Sequence, residues 1–178
     1  MLGEKELRTL EIVKAAIQNG ERALISTSWV RTDSQQKLKK FLINEGYRTE
    51  ILTDKIKTTD REDWVQKKLA AGMQVLIVNP SLVETGLDLN AFTTLVFYSM
   101  GYKLFTLRQA SRRSWRINQK APAVKVYMLY YEDTMQQKCL KLMASKLAVA
   151  GLIEGNFSEE GLLSLIHISE PTRPISIS

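Results

Sequence analysis

Gln109, Arg112, Arg113 and Arg116 recur at spacings of three and four, which at about 100° per residue gathers them on one face of a helix. Side chains three positions apart are neighbours on a helix, so the guanidinium groups of Arg113 and Arg116 can converge on a single phosphate. Leu104, Leu107, Ala110 and Trp115 turn mostly away and give the helix an apolar back. From Leu89 to Tyr131 there is no Asp or Glu, while Lys103, Arg108, Arg112, Arg113, Arg116, Lys120 and Lys125 supply positive charge. A merely solvated face mixes signs, because acids at i±4 support the helix and relieve repulsion between arginines. Arginine at several positions also favours forked recognition of phosphate over simple solubility, which lysine would serve as well. The chemistry these residues suit is anion binding.

A second group lies in Asn79-Pro-Ser-Leu-Val-Glu-Thr-Gly-Leu-Asp-Leu89. Gly86 reads as a backbone requirement, either positive φ in a tight turn or close approach to a partner. Asp88 follows at the turn, where an aspartate bonded to nearby backbone explains its presence without any ligand. Gln109 is open in the same way: it either orients a guanidinium or a phosphate-bound water, or is a surface glutamine. Trp29, after an apolar run, suits packing as well as contact with a partner. Glu62-Asp63 precedes Trp64 on a helical stretch and reads as a solvated face.

The elements that must hold these groups alternate along the chain. Strands are predicted at Arg22 to Thr27, Thr49 to Leu52, Val75 to Asn79, Thr94 to Ser99 and Val124 to Tyr130. Helices are predicted at about Glu6 to Gln18, Ser34 to Glu45, Asp60 to Ala71, Leu104 to Arg116 and Thr134 to Ala148. This alternation is the signature of βαβ units around a largely parallel sheet. Leu76-Ile-Val78 and Leu95-Val-Phe97 are unbroken apolar runs, as required of central strands covered on both faces. Asp33 or Ser34 is expected to cap the second helix and Thr59 the third, with Gly46 and Gly72 marking their ends.

The whole chain sets outer bounds. Its 178 residues suffice for one domain with a sizeable core and are too few for two comfortable lobes of this kind. A hydrophobic fraction of 44% and a charged fraction of 25% argue against disorder of the body. The net charge of +6, with a pI near 9.4, fits a polyanionic partner. Cys139 is the only cysteine, which excludes an intrachain disulfide and a cysteine-rich metal cluster, and it reads as a buried small hydrophobe. No apolar stretch reaches membrane-spanning length and the N-terminus lacks a signal-peptide core, so a cytoplasmic protein with no membrane partner is expected.

Three segments together resemble the C-terminal RecA-like lobe of superfamily 2 helicases and translocases, most closely the Swi/Snf-like branch. Ala23-Leu-Ile-Ser-Thr-Ser-Trp29 resembles motif IV, Asn79 to Leu89 motif V, and Gln109 to Gln119 motif VI in the form Q-A-x-x-R-x-x-R-I-x-Q. The resemblance spans roughly residues 5 to 150, and the order and spacing of the motifs carry more weight than Gly-Leu-Asp alone. It implies an α/β, RecA-like three-layer fold with a mainly parallel central sheet.

The resemblance assigns Arg113 and Arg116 to the arginine positions that reach across a cleft to the phosphates of ATP. It places Gln109, Gly86 and Asp88 near the nucleotide. It sets Ser28, Trp29, Ser81, Glu84 and Thr85 along a DNA or RNA backbone, where phosphate contacts are blind to base sequence. Arg112 departs from the pattern, where Gly or Asp is common, as does Asn118, where Gly is usual.

There is no G-x-x-x-x-G-K-[ST] loop and no acidic motif after an apolar strand to hold Mg²⁺. ATP and Mg²⁺ are therefore expected only in a complete enzyme whose N-terminal RecA-like lobe supplies them, with the isolated chain inactive and no metal site of its own. The alternative is a stand-alone, non-catalytic module that binds nucleic acid. The domain is expected to occupy residues 1–150, with 151–162 closing it or starting a lost segment. Leu163 to Arg173 resembles the translation of a sequencing-library adaptor, and 163–178 is expected to be disordered. His167, the only histidine, falls there, which discounts histidine-based mechanisms.

Overall fold

The computed structural model describes residues 3–27, 32–83, 87–98, 125–129 and 166–168. Three helices, α1 (Glu4–Gln18), α2 (Thr32–Asn44) and α3 (Arg61–Ala70), alternate with β1 (Ala23–Ser26), β2 (Thr49–Leu52) and β3 (Val75–Val78). Strands β4 (Thr94–Phe97), β5 (Lys125–Met128) and β6 (Ile166–Ile168) follow. The strands form one sheet in the order β2-β3-β1-β4-β5-β6, with every pair parallel. The expected α/β class with a parallel sheet is therefore observed. The first five strands match their expected positions to within two residues at either end. The helices expected at Leu104 to Arg116 and Thr134 to Ala148 lie outside the described residues.

The three helices end alike. After α1, Gly20 N–H donates to Ile17 O at 3.0 Å and Glu21 N–H to Ala16 O at 2.9 Å. Gly46 with Tyr47 after α2, and Gly72 with Met73 after α3, repeat the pair of bonds. This is the Schellman arrangement, which needs a left-handed residue just past the helix. The glycines supply it, with φ of 73°, 95° and 94°. Each reversal then feeds a strand three residues later, so α1, α2 and α3 all deliver the chain to the amino edge of the sheet.

The helix starts differ from expectation. Thr32 already belongs to α2, so Asp33 lies inside the first turn and pairs with Lys37 at 2.8 Å. Thr59 falls in a 3-10 turn (Thr58–Asp60) and donates to Asp60 Oδ1 at 3.1 Å, leaving Asp60 at the α3 cap position without a side-chain capping bond. A 3-10 turn ahead of α3 displaces the threonine by one residue from where it could reach the helix amides.

One face of the sheet, carrying Ala23, Ile25, Ile51, Val75, Ile77 and Val96, packs with Ile12 and Val13 of α1 and Leu38 and Leu42 of α2. The alternate positions Leu24, Leu52, Leu76 and Leu95 are buried too. Burial on both faces explains why β1, β3 and β4 read as continuous apolar runs. At the β2 edge, Glu50 receives Lys39 of α2 at 3.0 Å and Lys68 of α3 at 3.2 Å, tying both helices to the outermost strand.

Ile166–Ile168 pairs in parallel with β5, setting His167 opposite Tyr127; the rest of 163–178 lies outside the described residues. Two β-branched residues in three suit a short edge strand. Among the described residues no helix is long and apolar enough to cross a membrane.

Candidate nucleic-acid and nucleotide interface

The chain passes from β1 outward to β2, returns to β3 beside β1, then crosses to β4 on the other flank of β1. Such a reversal of strand order opens a crevice at the carboxyl ends of the strands. Here those ends belong to β3, β1 and β4, three neighbours. Thr27 N–H donates to Val78 O at 2.9 Å and Tyr98 N–H to Ser26 O at 2.9 Å, extending the ladder one residue past each strand. Every sequence-predicted site residue follows one of these exits: Ser28 and Trp29 after β1, Ser81 to Asp88 after β3, and Gln109 to Arg116 after β4.

The exit from β3 is the best defined. Asn79 accepts at Oδ1 from both the amide of Ser81, at 3.1 Å, and its hydroxyl, at 2.9 Å. This turn, with Pro80 at the first helical position, starts a 3-10 helix over Pro80–Leu82. Ser81 is exposed, and among the described residues nothing donates to its hydroxyl oxygen, which can accept as well as donate. Leu87 and Leu89 are buried on either side of the half-buried Asp88, fixing it between two apolar anchors. Asp88 Oδ1 accepts from Asn90 N–H at 3.0 Å, so one carboxylate oxygen serves the turn. The turn-forming role for Asp88 is thus present.

Ser28, Trp29, Glu84, Thr85, Gly86, Gln109, Arg113 and Arg116 lie outside the described residues. Glu62 and Asp63 are exposed, as a solvated face requires.

Around the same edge stand residues that the sequence did not single out. Arg61 is buried, and its guanidinium donates from Nε to Ile56 O at 3.1 Å and from Nη1 to Leu82 O at 3.0 Å. Gln35 of α2 donates to Thr27 Oγ1 at 2.8 Å. Lys5 and Glu6 at the start of α1 engage Tyr98, Lys5 donating to its carbonyl at 3.2 Å. Burial pulls the Lys5 ammonium down to about 8 despite the opposing charge of Glu6. Asn79 could have been found, since Asn-Pro-Ser is a turn signal. Arg61 carried no such mark, because its partners are main-chain carbonyls.

The family described as the helicase conserved C-terminal domain matches residues 5–118, well over half of the chain. The chain belongs to that family. It is a C-terminal RecA-like helicase lobe, a helicase-type part of a motor. No curated protein sequence matches it. Among solved structures, the C-terminal part of the Fun30 ATPase domain superposes with a TM-score of 0.71 at 19% identity, which bears on the fold. The helicase lobe aligns over 93% of its own length and spans about half, 52%, of that chain. The family match includes the exits from β1, β3 and β4 and runs through Arg116, so it covers all the predicted site residues of the lobe.

Proposed function

We propose that this lobe is the second half of an ATP-dependent nucleic-acid translocase of the Swi/Snf-like kind, working against an N-terminal lobe. The observation that supports it is that β3, β1 and β4 are adjacent and parallel, so the stretches of chain that lead on to the three predicted site segments all begin at one edge of the sheet. One edge can then face both a nucleic-acid backbone and a nucleotide held by the other lobe. Ser81, on an exposed turn, together with Ser28, Trp29, Glu84 and Thr85 would follow the strand backbone.

The sequence has no G-x-x-x-x-G-K-[ST] loop to cradle phosphates. On this reading the nucleotide and its metal sit in the partner lobe, where they would supply the phosphoryl chemistry. In this lobe Arg113 and Arg116 would donate hydrogen bonds to phosphate oxygens, and Gln109 would orient a guanidinium or a phosphate-bound water. A guanidinium placed there stabilises charge that grows in the transition state, an effect of about 10³ to 10⁵ in rate.

The test is reconstitution with an N-terminal lobe, measuring nucleic-acid-stimulated ATP turnover. Arg116→Ala is expected to lower turnover by about 10³, and full retention would sink the assignment. If no N-terminal lobe confers turnover while the chain alone binds oligonucleotide in a salt-sensitive way, the stand-alone binding module is the correct reading instead.

A further inference from the structure

We propose that Arg61 is a positioning residue that sets the path of the chain leaving β3. It is the first residue of α3 and only 8% exposed, an uncommon setting for a guanidinium without a carboxylate. Among the described residues no acid pairs with it, and its two bonds go to main-chain carbonyls of different loops. Ile56 belongs to the turn after β2, where its amide donates to Thr53 O at 3.3 Å. Leu82 ends the 3-10 helix after β3.

The location of the second bond gives Arg61 its consequence. Carbonyls at the end of a short helix lack partners within it, and the one on Leu82 lies two residues before Glu84. Anchoring it fixes the peptide plane from which the segment toward Asp88 departs. The planar fork of arginine holds two acceptors at once, so the β2 and β3 exits are locked to each other through a single side chain. An apolar side chain in its place would leave the Ile56 and Leu82 carbonyls without this donor.

The consequence for binding rests on the reading of Ser81, Glu84 and Thr85 as backbone contacts; the positioning itself does not. The experiment has two readouts on the full chain. Amide hydrogen exchange in Arg61→Met is expected to accelerate at least about tenfold at Leu82, Val83, Leu87 and Asp88, and less than about threefold in β1 and β3. Arg61→Lys keeps the charge and reaches one carbonyl at a time, so its acceleration at the same four amides is expected to be intermediate. Uniform acceleration across the strands, or none at Leu82 and Val83, overturns the proposal. Should the methionine variant fail to fold, the ratio of local to strand exchange in Arg61→Lys decides alone. In parallel, a fluorescein-labelled oligothymidine is titrated at low salt, with weaker binding expected for the variants. Absence of binding by the unaltered chain would count against the nucleic-acid reading and leave the exchange result to judge Arg61.

Discussion

The Tyr98 hydroxyl donates to Glu6 Oε1 at 2.7 Å, joining the first turn of α1 to the residue just past β4. Lys5 completes the junction by donating to the Tyr98 carbonyl at 3.2 Å, with its ammonium 5.8 Å from the ring centre. The N-terminal helix thereby holds the point from which the chain departs toward the arginine-bearing segment. Tyr98→Phe removes the hydroxyl and leaves the ring. It is expected to lower unfolding free energy by about 0.5–1.5 kcal/mol, the net worth of one hydrogen bond, as read from urea denaturation.

Lys5 gives that junction a pH signature. Its pKa falls from 10.5 to about 8 in the fold, through burial first, with Glu6 opposing. Between those values the unfolded chain binds more protons than the folded one, so stability rises with pH across that window. Below about 8 both states carry the charge and the fold bears the cost of burying it. Lys5→Met is expected to flatten the rise, and urea midpoints from pH 7.5 to 10.5 check it. Parallel profiles for both proteins would mean that Lys5 stays charged in the fold.

Glu50 titrates in the opposite sense. Burial raises its pKa, but hydrogen bonds and charge from Lys39 and Lys68 outweigh that and leave it below 4.5. A carboxylate with a depressed folded pKa stabilises above its unfolded value, and that contribution is lost as pH falls through the folded one. Because the three side chains are partly exposed, Glu50→Gln is expected to cost no more than about 1 kcal/mol at pH 7. The difference should shrink in 1 M salt and as the pH is lowered from 7 into the acid range, as checked by denaturation across that series.

The glycine turns show what could be read from sequence and what could not. Gly46 and Gly72 stood out because a helix running into a strand needs a left-handed residue, and only glycine takes it freely. Leu76-Ile-Val78 marked a central strand because both of its faces had to be apolar. Strand order was not legible, since nothing local to β3 or β4 records that β1 lies between them. Arg61 was hidden for a similar reason. Set between Asp60 and Glu62, it has the neighbours of a solvated residue, and the carbonyl that buries it comes from 21 positions away. Of the interface, the turn at Asp88 was foreseen from local chemistry, whereas the contacts at Thr27, Tyr98 and Leu82 depend on the assembled edge.

Gly46→Ala tests the helix-end argument. No atom stands within 4 Å of the position a Cβ would occupy, so the penalty comes from φ of 95° alone. About 1–2 kcal/mol is expected, while Gly46→Asn should cost less because asparagine tolerates this region better. Thermal unfolding of the two variants gives the comparison. Equal losses would show that something other than backbone conformation governs the site.

Asn79 separates the fold of the β3 exit from its use. Asn79→Asp keeps an oxygen acceptor for both Ser81 bonds, so stability is expected to stay within about 0.5 kcal/mol. The substitution also adds a negative charge beside an exposed turn proposed to meet phosphate. At 4 Å in water two unit charges repel by about 1 kcal/mol, roughly fivefold in affinity. Asn79→Ala removes the acceptor, loosening the turn without adding charge. If the turn meets a nucleic-acid backbone, the aspartate variant binds oligothymidine more weakly than its preserved stability explains, and salt narrows the gap. If both variants lose affinity only in step with stability, the turn is a structural element and the phosphate path runs elsewhere along the edge. Anisotropy titrations at two salt concentrations, paired with urea denaturation, distinguish these outcomes without any ATPase partner.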